Sequence, residues 1–406
     1  MIQINKKVLA ILLIAALLAG AGGVIALADV GLGGAKLVSS EKAAEEEYFV
    51  EKYSKMEKLF QYIKSNYYTD VDDEQLLQGA YEGLFAGTGD KYSQYISKED
   101  YEKYFEYVTG TFYGVGMTFQ QQEDGSMLVI STVEGSPAKK AGIKEGDFIV
   151  KVDGKSIEGL DSTSVRDLVR GEKGTTVTVT LSRNGEEYDA KMVRQEMPEM
   201  TVYSSMVENS NIGYIEITQF GDNTGSEFKT ALKEIQEEGA EALILDLRYN
   251  GGGIVDSSVA VADELMDAGT VVYAVDRQGM RKNYTTHNGR TKMPFVILVN
   301  EYTASASEIL AVGVQDNKEG TLVGTQTYGK GIIQETMGFG DGSAISLTTW
   351  EYFSPSGKTI HGVGVTPDYV VEIPADSTED VQLLKAIEVL TENTGIYFND
   401  NGKAEN

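Results

Sequence analysis

Two residues with catalytic potential, Ser305 and Lys330, lie 25 positions apart in this chain of 406 residues. Ser305 stands where small residues give way to a helix-like apolar pattern, and Lys330 stands between two glycines ahead of a β-branched run. A serine hydroxyl is a poor nucleophile until a nearby base takes its proton. Because burial lowers the pKa of a lysine, an enclosed Lys330 can be that base. The pair predicts acyl-transfer chemistry.

Few other residues compete for these two roles. The chain has no cysteine and only two histidines, His287 and His361, of which His361 is the competing base. Ser307 is the competing nucleophile, since it is equally near the start of the same helical pattern. Sequence spacing alone does not decide which of the two serines is the nucleophile. Ser305 also heads a Ser-Ala-Ser-Glu segment with the form of a helix capping box, so a purely structural role as a cap is the alternative.

The glycine-rich turn Asn250–Gly253 is the candidate oxyanion site. It follows an almost continuous apolar strand over residues 242–248 and precedes a helical pattern over 255–266. Backbone N–H groups left unpaired in such a turn can bind phosphate or the oxyanion of an acyl-transfer intermediate. The lysine pattern of a phosphate-binding loop is missing, and a plain structural turn is the alternative. The N–H of Ala306, at the positive end of the next helix, would be a second donor.

Gln334 is the candidate partner of the lysine. Side chains alternate along a strand, so Lys330, Ile332 and Gln334 share one face if this segment is extended. Gln334 would then orient the Lys330 amine, in the role that aspartate has towards histidine in a catalytic triad. For Lys330 the alternative is an exposed loop lysine, the usual state of this residue.

Composition limits the partners of the protein. The formal net charge of −27 argues against nucleic acid or an anionic membrane surface as the main partner, and favours cationic or neutral polypeptides. The absence of cysteine excludes disulfides, thiol catalysis and cysteine-based zinc sites. No metal or organic cofactor is implied.

Residues 1–40 resemble an export signal. Lys6 and Lys7 precede an apolar run, Val8–Ala28, that is long enough to span a bilayer as an uncleaved anchor. Ala26-Leu27-Ala28 has the small-x-small form of a signal peptidase site, so release after cleavage near Ala28 is the alternative, and a buried helix of a cytosolic domain is a third. We expect a membrane anchor, with the remainder of the chain outside the cytoplasm.

Residues 41–107 are acidic, rich in tyrosine and patterned as helices. Apolar residues recur at helical spacing in two stripes: Tyr53, Met56, Phe60 and Ile63, then Leu76, Leu77, Tyr81 and Leu84. Such stripes indicate a core or a partner-helix face, and dimerisation is the functional alternative.

Residues 108–190 resemble a PDZ domain. Short strands are predicted at 127–130, 148–152 and 176–181, with helices beginning near Pro137 and over 162–170. The segment Gly114-Val115-Gly116-Met117 stands where PDZ domains have their carboxylate-binding loop. The resemblance implies that backbone N–H groups there bind a peptide C-terminus while the peptide adds as a strand to an open sheet edge.

The chain as a whole, from about residue 50 to 390, resembles the carboxyl-terminal processing peptidases, or tail-specific proteases. The segments that carry the resemblance are these: Ser305-Ala306-Ser307-Glu308-Ile309, Gln315-Asp316-Asn317, Tyr328-Gly329-Lys330-Gly331 with Gln334, and Gly362-Val363-Gly364 with Pro367-Asp368. It implies an α/β layered, crotonase-like peptidase core over 191–375, an inserted β-rich PDZ domain and a helical C-terminal segment over 376–406.

The resemblance also assigns the site residues. It implies Ser305, in preference to Ser307, as nucleophile, Lys330 as general base and Gln334 as the residue that orients it. Gly252 and Ala306 would supply the oxyanion donors. Where many relatives have proline, this chain has Gly251, which makes the turn more flexible and weakens the assignment of Gly252.

The expected function is that of an extracytoplasmic serine endopeptidase that forms an acyl-enzyme on protein substrates. The PDZ domain would recognise substrate C-terminal tails and act as a gate, with Arg166 or Arg170 as candidates for its coupling to the active site. A homodimer and a regulatory protein partner are expected, and nucleic acid is not. A surface-anchored PDZ adaptor with an inactive peptidase half is the alternative from another class. A third, an acyl-CoA enzyme, would need a basic cluster that the sequence lacks.

Overall fold

The computed structural model describes residues 40–394 except residues 123, 288–290 and 375–376. Within these ranges no helix combines the length and the apolar character that a bilayer crossing requires. The run Val8–Ala28, predicted as an anchor or signal, lies outside the described residues, so its prediction stays open.

The chain up to Leu84 forms a unit of its own. It contains helix α1 (Ser40–Asn66) and most of helix α2 (Asp73–Ala86), and Lys64 Nζ donates to Asp73 Oδ2 at 2.7 Å. Both predicted apolar stripes contribute to one groove between these helices: Tyr53, Met56, Leu59, Phe60, Ile63, Leu76, Leu77 and Ala80.

From Phe85 onwards the chain forms a second unit. Its helices are these: α3 (Lys98–Thr109), α4 (Pro137–Lys140), α5 (Ser162–Val169), α6 (Thr224–Glu237), α7 (Val255–Leu265), α8 (Ala306–Asn317) and α9 (Val381–Thr394). Its strands are these: β1 (Gln94–Ile96), β2 (Thr111–Gly114), β3 (Met117–Gln121), β4 (Met127–Thr132), β5 (Phe148–Val152), β6 (Lys155–Ser156), β7 (Thr176–Arg183), β8 (Glu186–Val193), β9 (Gln195–Pro198), β10 (Val202–Met206), β11 (Ile212–Ile217), β12 (Ala242–Asp246), β13 (Thr270–Asp276), β14 (Arg281–Thr285), β15 (Phe295–Val299), β16 (Thr321–Gly324), β17 (Ile332–Gly338), β18 (Ala344–Phe353) and β19 (Tyr369–Val370).

The core sheet has the strand order β10-β11-β12-β15-β16-β19 and is parallel except for β10. The side chains of β12 and β15 are buried throughout, as their continuous apolar runs predict. One face of the sheet packs with α6, α7 and α8 in a single apolar cluster, and the other packs with α9. The core is therefore a three-layer α/β structure.

Residues 197–207, between the PDZ region and the first apolar strand of the core, have no strand pattern in the sequence. They nevertheless contain β10, which pairs antiparallel with β11 as the edge strand of the core sheet. This strand has no apolar pattern in the sequence, because three of its residues have exposed polar side chains: Tyr203, Ser204 and Ser205. Only one face of an edge strand needs to be apolar.

A second sheet is built around the long strand β18. This strand pairs with β17 along most of its length, with β1 near its start and with β13 near its end, and β14 completes the sheet beyond β13. Strand β17 begins two residues after Lys330, so this sheet positions the lysine. Strand β1 comes from a part of the chain that precedes the PDZ region.

The PDZ region has its own sheet, in the order β3-β4-β5-β7-β8 with β6 on β5, and its own apolar core with α4 and α5. The antiparallel pair β2–β9 joins it to the rest of the unit. Strand β3 is at the edge of this sheet.

Candidate active site

Ser305 occupies the sharp turn between β15 and α8. Its backbone has φ +57° and ψ −116°, which residues with a side chain rarely adopt. Such strain costs about 1–3 kcal/mol and persists where the surroundings fix the backbone. The helix start places the Ser305 side chain on the wall of a cleft of about 710 Å³.

The carboxylate of Glu308 holds the serine and the lysine segments together. Its Oε2 accepts the N–H groups of Ser305 and Lys330, both at 2.8 Å, and its Oε1 accepts the Thr327 hydroxyl at 2.6 Å and the Gly329 N–H at 2.7 Å. The side chain is fully buried. Burial raises the pKa of Glu308, and the four hydrogen bonds oppose that shift.

Tyr352 provides a second link between the two segments. Its hydroxyl donates to the carbonyl oxygen of Lys330 at 2.7 Å and lies 3.1 Å from that of Ser305, so one proton serves both. Burial raises the pKa of Tyr352 well above its usual value, which keeps this donor protonated.

Lys330 is enclosed by backbone on one side and by an aromatic ring on the other. A Cβ at Gly331 would collide with the backbone nitrogen of His361, so only glycine lets the chain pass there. The Lys330 ammonium lies 4.9 Å from the centre of the Tyr92 ring. Burial lowers the pKa of Lys330, and the charges of Asp90, Tyr328 and Glu308 oppose the shift. The environment favours the neutral amine that a general base requires.

Four of the predicted site residues line the same cleft: Ser305, Lys330, Gly252 and Gln334. Ala306 follows directly and is buried. No hydrogen bond joins the Ser305 hydroxyl to the Lys330 amine, although the structure describes both side chains. In unliganded enzymes such bonds are often long and shorten only when substrate binds.

Gly252 packs against the nucleophile turn. A Cβ built on it would lie 2.8 Å from Ser305 Cβ and 2.9 Å from the Ala306 nitrogen, and its φ is +103°. Its own N–H donates to Asn250 Oδ1 at 2.9 Å. The glycine thus leaves open the space in front of the Ala306 N–H, while its own donor already has a partner.

Gln334 points into the cleft but contacts a different residue from the one predicted. Its amide donates to the Thr348 hydroxyl at 2.9 Å, and within the described chain it makes no hydrogen bond to Lys330. Lys330 and Gln334 line the same cleft, although Lys330 precedes β17 and the register shifts between Ile333 and Gln334. The orienting role of Gln334 stays a prediction.

The two competing residues are placed away from the cleft. Ser307 is fully buried and its hydroxyl donates to the Asn250 carbonyl at 3.0 Å, which is a structural bond. His361 lines a neighbouring groove beside Tyr328 and Gly329 and does not line the cleft that contains Ser305.

Sequence reasoning missed three residues of the site: the bridging Glu308, Tyr352 and Tyr92. Glu308 was visible only as the acid of the capping box, and the structure shows that its carboxylate also reaches Lys330. Tyr92 reaches the lysine from the bend before β1, and Tyr352 reaches it from β18. No local pattern signals such contacts.

The PDZ loop and its candidate coupling residue lie apart from the cleft lining. Gly116 has φ +70°, and a side chain there would collide with Ser136. Arg170, at the end of α5, stacks on the Phe112 ring at 3.9 Å and donates to Glu199 at 3.2 Å. It therefore contacts the β2–β9 connection and does not line the cleft.

Fold and cleft together define a class: a serine peptidase with an α/β core and an inserted PDZ domain. The profile of peptidase family S41 matches residues 211–371, that of the PDZ domain matches 114–192, and that of the activating protease CtpB N-terminal domain matches 17–100. The chain belongs to the carboxyl-terminal processing peptidases of family S41.

The chain is similar to individual proteins and to a solved structure. The chain is 36% identical over 326 residues to the carboxy-terminal processing protease CtpA of Bacillus subtilis, covering 80% of this chain and 70% of that protein. It is 35% identical over 325 residues to a probable CtpA-like serine protease of Staphylococcus aureus, covering 79% and 65%. The solved photosystem II D1 C-terminal processing protease has 30% identity, covers 80% of this chain and 88% of its own, and superposes with a TM-score of 0.48.

Proposed function

We propose that this peptidase is an extracytoplasmic endopeptidase in which Ser305 is the nucleophile and Lys330 the general base. The observation that carries the proposal is the shared support of the two residues: one buried carboxylate, Glu308, accepts the backbone N–H of both. A structural cap for Ser305 alone would not need the bond to Lys330. The lowered pKa of Lys330 supports its role as a base.

The proposed reaction begins when Ser305 Oγ attacks a peptide carbonyl and the neutral Lys330 amine takes its proton. The N–H groups of Ala306 and Gly252 then stabilise the oxyanion, for which the Gly252 N–H must exchange its bond to Asn250. Lys330 gives the proton to the leaving amine, and water that it activates hydrolyses the acyl-enzyme. Gln334 would orient the lysine once its amide leaves Thr348.

The PDZ domain is proposed to bind substrate C-terminal tails. Its edge strand β3 and the Gly114–Met117 loop support this, since a peptide can add there as a further strand. The apolar run Val8–Ala28 supports export and anchoring at the membrane, with release near Ala28 as the alternative. The three-layer core supports the crotonase-like description.

Substitution of each proposed catalytic residue tests the dyad. Ser305→Ala and Lys330→Ala should each lower the cleavage rate of an unfolded protein substrate by more than about a thousandfold while the circular dichroism spectrum stays unchanged. Ser307→Ala is the matched control, because it removes a serine hydroxyl from the same helix end without touching the cleft, and it should retain cleavage. Full activity in either dyad variant, or loss in the Ser307 variant alone, would overturn the assignment.

A further inference from the structure

A second cavity, of about 970 Å³, borders the cleft on the side of Lys330. We call it the Lys91 groove. Its walls include residues 88–93, Tyr328–Gly329 and His361. The groove and the cleft share three lining residues: Lys91, Tyr92 and Ile332. The two cavities therefore adjoin.

Lys91 brings an ammonium group with an unused donor to this groove. Its Nζ donates to the Tyr328 hydroxyl at 2.8 Å and lies 4.9 Å from the Tyr92 ring centre and 5.2 Å from that of Tyr328. Across residues 40–394 as described, no carboxylate forms an ion pair with it. The Tyr92 side chain is a second hydrogen-bond partner, so at least one of the three N–H donors remains available for an anion.

The acid in the groove does not neutralise Lys91. Among the residues that line the groove, Asp90 alone carries a carboxylate. Its oxygens accept the Ser93 hydroxyl at 2.5 Å and the Tyr92 N–H at 2.9 Å, within its own turn. Lys91 in turn lowers the pKa of Tyr328, as expected beside a positive charge. The groove therefore presents a cation and a hydroxyl to whatever enters it.

The position of the base decides which part of a substrate enters the groove. A general base that takes the serine proton later gives it to the leaving amine, so that amine lies against the base. The groove begins at Tyr328–Gly329, directly before Lys330, whereas the turn Gly251–Gly253 lines only the cleft. The fragment on the leaving side, which ends in the substrate's carboxylate, therefore runs towards Lys91.

We propose that, after the tail has first engaged and left the PDZ domain, the Lys91 groove binds the last residues of the substrate, with the Lys91 ammonium and the Tyr328 hydroxyl holding the terminal carboxylate. The proposal rests on the proposed function of Ser305 and Lys330. A cavity of this size holds a short peptide, and a carboxylate forms charge-assisted hydrogen bonds with an ammonium and a hydroxyl. Because Lys91 lines the same cleft as Ser305, a carboxylate held there would set how many residues are removed from the C-terminus.

Peptides of uniform, alanine-rich sequence test this. Side-chain preference then cannot choose the cleavage site, and mass spectrometry gives the lengths of the released C-terminal fragments. The full-length enzyme should release one dominant short fragment from peptides with a free carboxylate, and a spread of lengths from the same peptides as amides. Lys91→Met and Lys91→Glu should give that spread even with the free acid, with kcat/KM lower by about tenfold or more.

Controls separate this inference from its competitors. Lys103→Met removes an equal charge from an exposed position on α3 and should keep the dominant fragment. If the PDZ domain alone recognised the tail, the free-acid and amide peptides would be cleaved at different rates. The position of the cleaved bond would not be fixed in either peptide. Equal fragment distributions for acid, amide and the Lys91 variants would overturn the inference. No Ser305-dependent cleavage at all would instead overturn the proposed function.

Discussion

At the scale of single residues, the neutral amine of Lys330 determines how activity depends on pH. Burial lowers the pKa of Lys330 from the ordinary lysine value of about 10.4. The cleavage rate should therefore rise with pH through this lowered pKa. This acid limb of the pH profile should be absent from the residual activity of Lys330→Ala. A pre-steady-state pH profile of acylation measures this. An acid limb that persists unchanged in the variant would contradict the role of Lys330.

The lowered pKa of Lys330 also makes the stability of the fold depend on pH. Between its folded and unfolded pKa values, Lys330 binds a proton only in the unfolded chain, so the free energy of unfolding rises with pH in that window. Lys330→Met removes this dependence. The stability advantage of the variant over the parent should be largest below the lowered pKa of Lys330 and shrink as pH rises towards about 10. Urea unfolding at several pH values checks this, and a difference that grows with pH would be the wrong sign.

Glu308 is the residue whose loss should affect both stability and activity. In Glu308→Gln one carboxylate oxygen becomes an NH₂ group that faces two donors, so two of the four hydrogen bonds are lost. We expect a destabilisation of about 2–4 kcal/mol and a large loss of kcat. Glu301→Gln is the matched control, since exposed Glu301 accepts a single bond from Thr325. Equal unfolding midpoints for the two variants would refute the bridging role.

At the scale of elements, the turn Gly251–Gly253 offers a comparison between adjacent glycines. A Cβ on Gly252 would collide with the Ser305 turn at a φ of +103°, whereas a Cβ on Gly251 meets nothing within 4 Å. Gly252→Ala should therefore lower kcat by about a hundredfold or more, and Gly251→Ala should stay within about threefold of the parent. Steady-state kinetics gives kcat for both variants. Equal losses of kcat would show that the turn does not support the oxyanion.

The elements also show how far a sequence can predict this site. Local apolar runs and small residues predict two parts of the site to within a few residues. One is the turn Gly251–Gly253 between β12 and α7, and the other is the start of α8 at Ser305. The choice between Ser305 and Ser307 depends on the Asn250 carbonyl, which lies in the turn after β12. The place of Gln334 depends on a β-bulge. Both are tertiary facts without a local signal.

At the scale of the whole molecule, the net charge of −27 opposes close approach of two copies unless an apolar surface offsets the repulsion. The groove between α1 and α2 is such a surface, because Leu59 and Leu77 in it are 51% and 40% exposed. We propose that a second copy of the chain covers this groove, in keeping with the dimer expected from the sequence.

Leu77→Glu tests the dimer. In a two-fold symmetric interface each substitution acts twice, and burying one leucine contributes about 1.5–3 kcal/mol, so the dimer should weaken by about a hundredfold or more. Light scattering at micromolar concentration should give twice the chain mass for the parent and the single mass for Leu77→Glu. Gln75→Glu adds the same charge to α2 outside the groove and should remain dimeric. A monomeric parent, or a dimeric Leu77→Glu, would overturn the proposal that a second copy covers this groove.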